Sequence, residues 1–219
     1  MKIKLKIFRF DPDVDPQPYY KEYFVEAQGN ERVLDCLNRI KWTQDGTIAY
    51  RMSCAHGVCG SDAMRINGKC SLACQKLVKD FDSKEILVEP LPSFKPLKDL
   101  IVDMNPFFER VAEIRPYLKA SEAPEKERLQ SPEDRKKVDL AIRCILCACC
   151  TASCPVVNQN DDFCGPAPLV QAFRRIFDSR DDERLERLSQ LNIENGAWAC
   201  ENHFECTRAC PKEIPVTKC

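Results

Sequence analysis

Net charge is what this chain lacks first: 33 basic residues stand against 34 acidic ones over 219 positions, leaving −1. That balance gives no electrostatic reason to bind nucleic acid or a polybasic-seeking membrane surface, and no nucleic-acid partner is expected. Long apolar runs are missing as well. Nothing approaches the roughly 18 apolar residues of a membrane span. The opening stretch MKIKLKIFRF alternates charged and apolar residues and has no continuous apolar core, so it reads as neither a secretory signal nor a Ser- and Arg-rich transit peptide. Glycine is scarce, at 7 against 15 prolines, which assigns many bends to proline. Without export the compartment is reducing, and disulfides become the least expected use of thiols. Yet there are 15 cysteines. Metal remains.

Ile3, Leu5 and Ile7 alternate with Lys2, Lys4 and Lys6, the two-residue period of a half-buried strand over Lys2 to Phe10. DPDVDPQP, from Asp11 to Pro18, is a Pro- and Asp-rich turn, and Tyr19 to Ala27 reads as the second strand of a hairpin. Val33, Leu34, Leu37 and Ile40 then repeat at helical spacing, with Asn30 the expected N-cap. A Cys-rich loop runs from Cys54 to Cys74, and Glu85 to Leu91 closes this half as a strand. The order predicts a small α+β sheet of the β-grasp kind. Composition shifts after Pro90–Pro96, and the boundary is expected near residues 96–105, giving domains 1–100 and 101–219. In the second, Ser131–Pro132–Glu133–Asp134 is a helix start. Gly165 to Arg180 carries Leu169, Val170, Phe173, Ile176 and Phe177 on one stripe, and Asp182 to Leu191 repeats Leu185, Leu188 and Leu191. This half is predicted all-helical.

Three sets of cysteines carry the chemistry. Cys54-x4-Cys59-x2-Asp62, with Cys74 beyond, follows the plant-type 2Fe–2S spacing, with Asp62 where the third Cys would stand. Gly57 and Gly60 let the backbone approach a cluster closely. A carboxylate is an anionic oxygen donor for iron, and Asp62 keeps the register; the alternative has Asp62 capping the loop while Cys70 supplies a thiolate. Cys144-x2-Cys147-x2-Cys150-x3-Cys154-Pro155 is the bacterial ferredoxin run, whose fourth Cys serves a different cluster from the first three. Cys200-x5-Cys206-x3-Cys210-Pro211 repeats it with His203 at the second position. The exchange assigns Cys144, Cys147, Cys150 and Cys210 to a 4Fe–4S cubane. It leaves Cys154, Cys200 and Cys206 for another cluster, and three thiolates suit 3Fe–4S. A zinc ribbon would need paired knuckles far apart.

These residues resemble the iron–sulfur subunit of succinate dehydrogenase and fumarate reductase. The likeness rests on SCAHGVCGSDAM (Ser53 to Met64), LAC ending at Cys74, RCILCACCTASCP (Arg143 to Pro155), FCGPA (Phe163 to Ala167), DSRD (Asp178 to Asp181) and CTRACPK (Cys206 to Lys212). It covers nearly the whole chain. It implies a plant-type 2Fe–2S ferredoxin domain followed by a helical, bacterial-ferredoxin-like domain, with Asp at the third 2Fe–2S position a known variant. It further implies an FAD-containing flavoprotein subunit as electron donor, integral anchor subunits, and a quinone near the 3Fe–4S cluster. The chain itself would have no substrate-converting site and would lie peripherally on the cytoplasmic face of a prokaryotic membrane. Quinol:fumarate reductase, running the same wire backwards, is the alternative, as is another fumarate-reducing flavoenzyme. The CCG-type segments of heterodisulfide-type relatives are absent. Ubiquinone-using members usually carry Trp shortly after the first Cys-Pro and His after the first Cys of the last motif. Here Val156 to Gln159 and Glu201 stand there, so either a different quinone binds or the anchor supplies most contacts. The family also continues past the position of Cys219.

The remaining residues take plainer readings. Cys36 is expected in the core of its helix, Cys149 as a small buried residue, and Cys70 and Cys164 near cluster loops without ligating. His203 is a candidate fourth ligand that would make the third cluster 4Fe–4S; the plainer alternative packs its ring beside the cluster. Trp198 is expected as a core aromatic, His56 facing solvent or the flavoprotein, and Asp178 to Arg187 as a solvated helix face.

Overall fold

A computed structural model describes every residue, Met1–Cys219. It divides into two compact units, Met1–Met104 and Asn105–Cys219.

In the first unit, alternation buries Ile3, Leu5 and Ile7 on one face of β1 (Lys2–Arg9) while the lysines face outward. β1 is an inner strand of the sheet, paired on both sides. β2 (Tyr19–Glu26) runs antiparallel to it, and β5 (Glu85–Glu89) runs parallel, with Leu5 opposite Ile86. With β3 at Ala63–Ile66 and β4 at Lys69–Leu72, the sheet order is β2-β1-β5-β3-β4. Between β2 and β3 lies α1 (Val33–Thr43), whose Val33, Leu34, Cys36, Leu37 and Ile40 are all buried. The N-cap of this helix is Arg32, not Asn30. The Asp35 carboxylate accepts the Arg32 N–H at 2.9 Å, satisfying a free donor at the helix start from inside the first turn. Cys36 is fully buried, as its place on the apolar stripe predicts.

The stretch from Cys54 to Cys74 is not all loop. It contains the hairpin β3 (Ala63–Ile66) and β4 (Lys69–Leu72), closed by Asn67–Gly68 with φ of 45° and 79°. Both turn residues are left-handed, which Asn and Gly tolerate and which matches strand twist. Two short strands, β6 (Pro96–Lys98) and β7 (Ile101–Val102), end the unit.

The second unit has no strands. Its helices are α2 (Asn105–Glu113), α3 (Pro132–Val138), α4 (Cys149–Ala152), α5 (Pro166–Ile176), α6 (Arg184–Leu191) and α7 (Glu205–Arg208). α3 begins as its sequence predicts: the Ser131 hydroxyl accepts the Asp134 N–H at 3.0 Å. The α6 stripe differs from expectation. Leu185 is 80% exposed, and the fully buried side chain is Arg187. Its guanidinium donates to the carbonyls of Ile114, Arg115 and Tyr117 and pairs with the buried Asp181 at 3.1 Å. Asp178 is also buried and is held by Arg180 at 2.8 Å. The segment 178–187 therefore holds an internal polar latch of Asp178, Asp181 and Arg187, each buried charge finding carbonyls or an opposite charge, while Ser179, Asp182, Arg184, Leu185 and Glu186 stay exposed as a solvated face.

Candidate iron–sulfur sites

Strand pairing builds the first site. Ala63 lies opposite Leu72 in the β3–β4 ladder, so Asp62, just before β3, meets Cys74, just after β4. The Cys74 N–H donates to Asp62 Oδ2 at 2.5 Å, and the Ala73 N–H donates to the Asp62 carbonyl at 3.1 Å. Asp62 is 2% exposed, yet its Oδ1 has no hydrogen-bond partner. A buried, orphaned carboxylate oxygen is costly unless a cation takes it, which fits an iron at this position.

Cys54 and Cys59 stand on the loop before β3, where Ala55, Gly57 and Gly60 have φ of 56°, 78° and 72°. This left-handed winding turns three N–H groups inward. Those of His56, Val58 and Cys59 reach Cys54 Sγ at 3.5, 3.4 and 3.3 Å. These bonds favour the thiolate and bring the Cys54 pKa down to about 6. Glycine at 57 is favoured by its φ of 78°, and the Gln75 side-chain amide fills the space where a Cβ would stand. Burial, followed by the Asp62 carboxylate, pushes Cys74 up to about 12, so an iron ion bound here would have to displace its proton. His56 is exposed, its Nδ1 2.6 Å from the Cys54 carbonyl oxygen. Cys70 is buried in β4 opposite Arg65.

The second unit repeats one piece of backbone. Leu146 and Asn202 have φ of 53° and 56°; Ala148 and Phe204 both have 64° and begin the short helices α4 and α7. The Cys154 N–H donates to the Thr151 carbonyl at 3.2 Å, and the Cys210 N–H to the Thr207 carbonyl at 3.3 Å. The two runs thus share one backbone winding ahead of their last Cys. Cys144, Cys147 and Cys150 line one cavity with Cys210 from the other run, walled by Ala167 and Val170 of α5 and by Ile214 and Val216. No three His, Cys, Asp or Glu side chains converge tightly enough for a single ion. The four thiols surround a space instead. Burial pushes the thiols of Cys144 and Cys150 up, so they ionise there only against iron's charge. The buried Gln171 amide on α5 works against that rise at Cys144.

The third set comes together too. The Cys154 thiol feels Cys206 and Cys200 as neighbouring charges, after burial as the main cause of its raised pKa. Cys154 packs with Val156, Val157 and Phe163, and Cys200 and Cys164 border that cluster. His203 faces away from it in its hydrogen bonding: Nε2 meets Glu201 Oε2 at 2.9 Å, and the side chain is 44% exposed. Cys149 is buried in α4. Trp198 is not a core aromatic. It is 75% exposed, its Nε1–H donating to Asn192 Oδ1 at 2.8 Å, and it rims an apolar cavity with Leu169, Phe173, Phe177, Leu188 and Cys219.

Two family models match the chain. The family model described as a 2Fe-2S iron-sulfur cluster binding domain fits residues 4–109, and the one described as a 4Fe-4S dicluster domain fits residues 140–214. The succinate dehydrogenase iron–sulfur subunit of Coxiella burnetii is 42% identical over 97% of this chain and 91% of its own. The chain belongs to the succinate dehydrogenase iron–sulfur subunit family. A mitochondrial succinate dehydrogenase (ubiquinone) iron–sulfur subunit of Arabidopsis thaliana is 41% identical over 98% of this chain and 71% of its own. A chain of the Mycobacterium smegmatis Sdh1 complex in the apo form superposes with a TM-score of 0.82 at 28% identity, covering 99% of this chain and 90% of that one. Within this iron–sulfur subunit, Val156 and Val157 are buried against Cys154, while Glu201 is exposed beside His203. No helix is long and apolar enough to cross a membrane.

Proposed function

We infer that this chain is the electron-transfer subunit of a succinate:quinone oxidoreductase, carrying electrons from a flavoprotein subunit to quinone at a membrane anchor. The observation that carries the reading is the cavity where Cys144, Cys147 and Cys150 meet Cys210 from the other run, inside a chain related end to end to succinate dehydrogenase subunits. Cys54, Cys59, Asp62 and Cys74 would hold 2Fe–2S; Cys144, Cys147, Cys150 and Cys210 would hold 4Fe–4S; Cys154, Cys200 and Cys206 would hold 3Fe–4S. When bound, the clusters supply one-electron carriers in series. The residues supply ligation, spacing and tuning: backbone N–H groups on Cys54, the orphan oxygen of Asp62, and apolar walls around the buried thiols. His203 stays off the third cluster, held by Glu201, which keeps that site at three protein ligands. Parallel β1–β5 pairing between flanking antiparallel strands supports the β-grasp reading of the first unit, and the two units support domains 1–100 and 101–219 to within a few residues. Peripheral attachment through anchor subunits, on the cytoplasmic face of a prokaryotic membrane, belongs to the same reading.

The test is anaerobic addition of succinate to the complex purified with its flavoprotein subunit, read by EPR. Reduction of the clusters in this chain, reversed by a quinone, is expected. Clusters that stay oxidised with succinate, in material whose flavin is reduced, would overturn the reading.

A further inference from the structure

Two threonines beside Cys206 form a chain of hydrogen bonds that ligation alone does not require. Thr207 follows Cys206 on α7, and Thr217 lies in the 3₁₀ turn Val216–Lys218, which contacts α7. The Thr217 N–H donates to Thr207 Oγ1 at 3.0 Å, the two hydroxyl oxygens are 2.9 Å apart, and Thr217 Oγ1 is 3.3 Å from Cys206 Sγ. Each hydroxyl has one proton to give. If Cys206 is a ligand thiolate it can only accept, so the Thr217 hydroxyl donates to it. Thr217 Oγ1 then accepts from the Thr207 hydroxyl, and Thr207 Oγ1 accepts from the Thr217 N–H. Every donor is used once, and the order has one direction.

We propose that Thr217 sets the reduction potential of the third cluster by donating a hydrogen bond to the Cys206 sulfur, and that Thr207 is the positioning residue that aims it. The proposal rests on the reading that Cys206 ligates iron. Its physics is differential. One electron from the neighbouring reduced cluster raises the negative charge on the ligand sulfurs, with no bond made or broken and each proton staying on its oxygen. A donor at sulfur stabilises that added charge more than it stabilises the oxidised form, so the potential rises. A more positive third carrier favours electron flow toward it from the cubane. Donors reach other candidate ligand sulfurs as well: Cys54 takes backbone N–H groups, Cys210 the Ile214 N–H at 3.4 Å, and Cys59 Sγ lies 3.1 Å from the Ser61 hydroxyl. At Cys206 the donor is a side chain, which mutation can remove without touching the backbone.

The experiment is an EPR-monitored redox titration of the assembled complex with Thr217→Val, Thr217→Ser, Thr207→Val and Thr207→Ser. In Thr217→Val, which keeps shape and loses the hydroxyl, the ratio of reduced to oxidised third cluster at a fixed poise is expected to fall about two- to tenfold, the range of one hydrogen bond. Both serine variants should titrate as wild type, Thr207→Val should shift in the same direction, and the other two clusters should not move. An unshifted Thr217→Val, or a serine variant that shifts as far as its valine counterpart, overturns the relay. If Thr217→Val fails to assemble, Thr207→Val against Thr207→Ser decides alone, and equal potentials overturn the proposal. A wild-type chain without a third-cluster signal would instead sink the ligation reading, and this proposal with it.

Discussion

At the scale of single residues, Asp62 shows what a donor set needs from its surroundings. Its carboxylate is buried between strand ends, one oxygen taken by the Cys74 N–H and the other without a partner. Asp62→Ala is expected to abolish the 2Fe–2S signal in EPR of the reduced protein while leaving the signals of the cubane run intact; Asp62→Cys should retain a 2Fe–2S centre. An unchanged 2Fe–2S spectrum in Asp62→Ala would return Cys70 to consideration. Cys54 carries a pH prediction. Three N–H groups bring its pKa to about 6, below the ordinary roughly 8.5 of a free thiol. A depressed folded pKa stabilises the wound loop above the unfolded value, and that contribution is lost as pH falls from there through about 6. In the iron-free chain, alkylation of Cys54 by iodoacetamide should rise to half its plateau rate near pH 6, while Cys74, held near 12 by burial and Asp62, stays unmodified at neutral pH. Mass spectrometry of the peptides reads both; a Cys54 midpoint above 8 would show that the loop does not hold those three donors.

Elements are where the sequence was read best and also where it misled. The alternation in β1, the apolar stripe of α1 and the Ser131 cap of α3 are local signals, and local physics realises them. The Asn67–Gly68 turn was equally local, yet the cysteines around it drew the whole stretch into one loop. A hairpin of two four-residue strands is what brings Cys74 back to Asp62. Periodicity failed at α6, since a leucine repeat implied a stripe that Arg187 in fact occupies from the buried side. Nothing local marks an arginine whose partners are the carbonyls of residues 114, 115 and 117. Arg187→Ala leaves Asp181 buried without its cation and should cost about 3–5 kcal/mol, measured as a lowered denaturant midpoint of the iron-loaded chain. A change under about 1 kcal/mol would mean the latch contributes little.

Over the whole molecule, the two units depend on iron to different degrees. The first has an apolar core of its own, including Ile3, Leu5, Ile7, Leu34, Leu37, Ile40, Ile86 and Val88. In the second, candidate ligands are part of the cores: Cys206 lies within one cluster, with Cys144, Cys150 and Cys210 packed on it, and Cys154 lies within another. Stripping iron with a chelator under reducing conditions should therefore unfold Asn105–Cys219 while the first sheet persists. Hydrogen exchange checks this: protection lost throughout α4, α5 and α7, and kept in β1 and β5. Equal loss in both units would contradict it.

The spacing of cysteines by itself determined that this chain handles iron and sulfide, and in what order along the chain, because ligation by consecutive turns is a local geometric demand. It also sets the expectation of which Cys of each run serves the other cluster. Tertiary structure alone decided the rest. Asp62 becomes a buried carboxylate with one unpartnered oxygen only because strand pairing buries it, Trp198 lies at the surface, and Thr217 meets Cys206 from eleven residues further on. Each of those facts depends on which distant segment arrives beside the residue, and neither its type nor its immediate neighbours specify that.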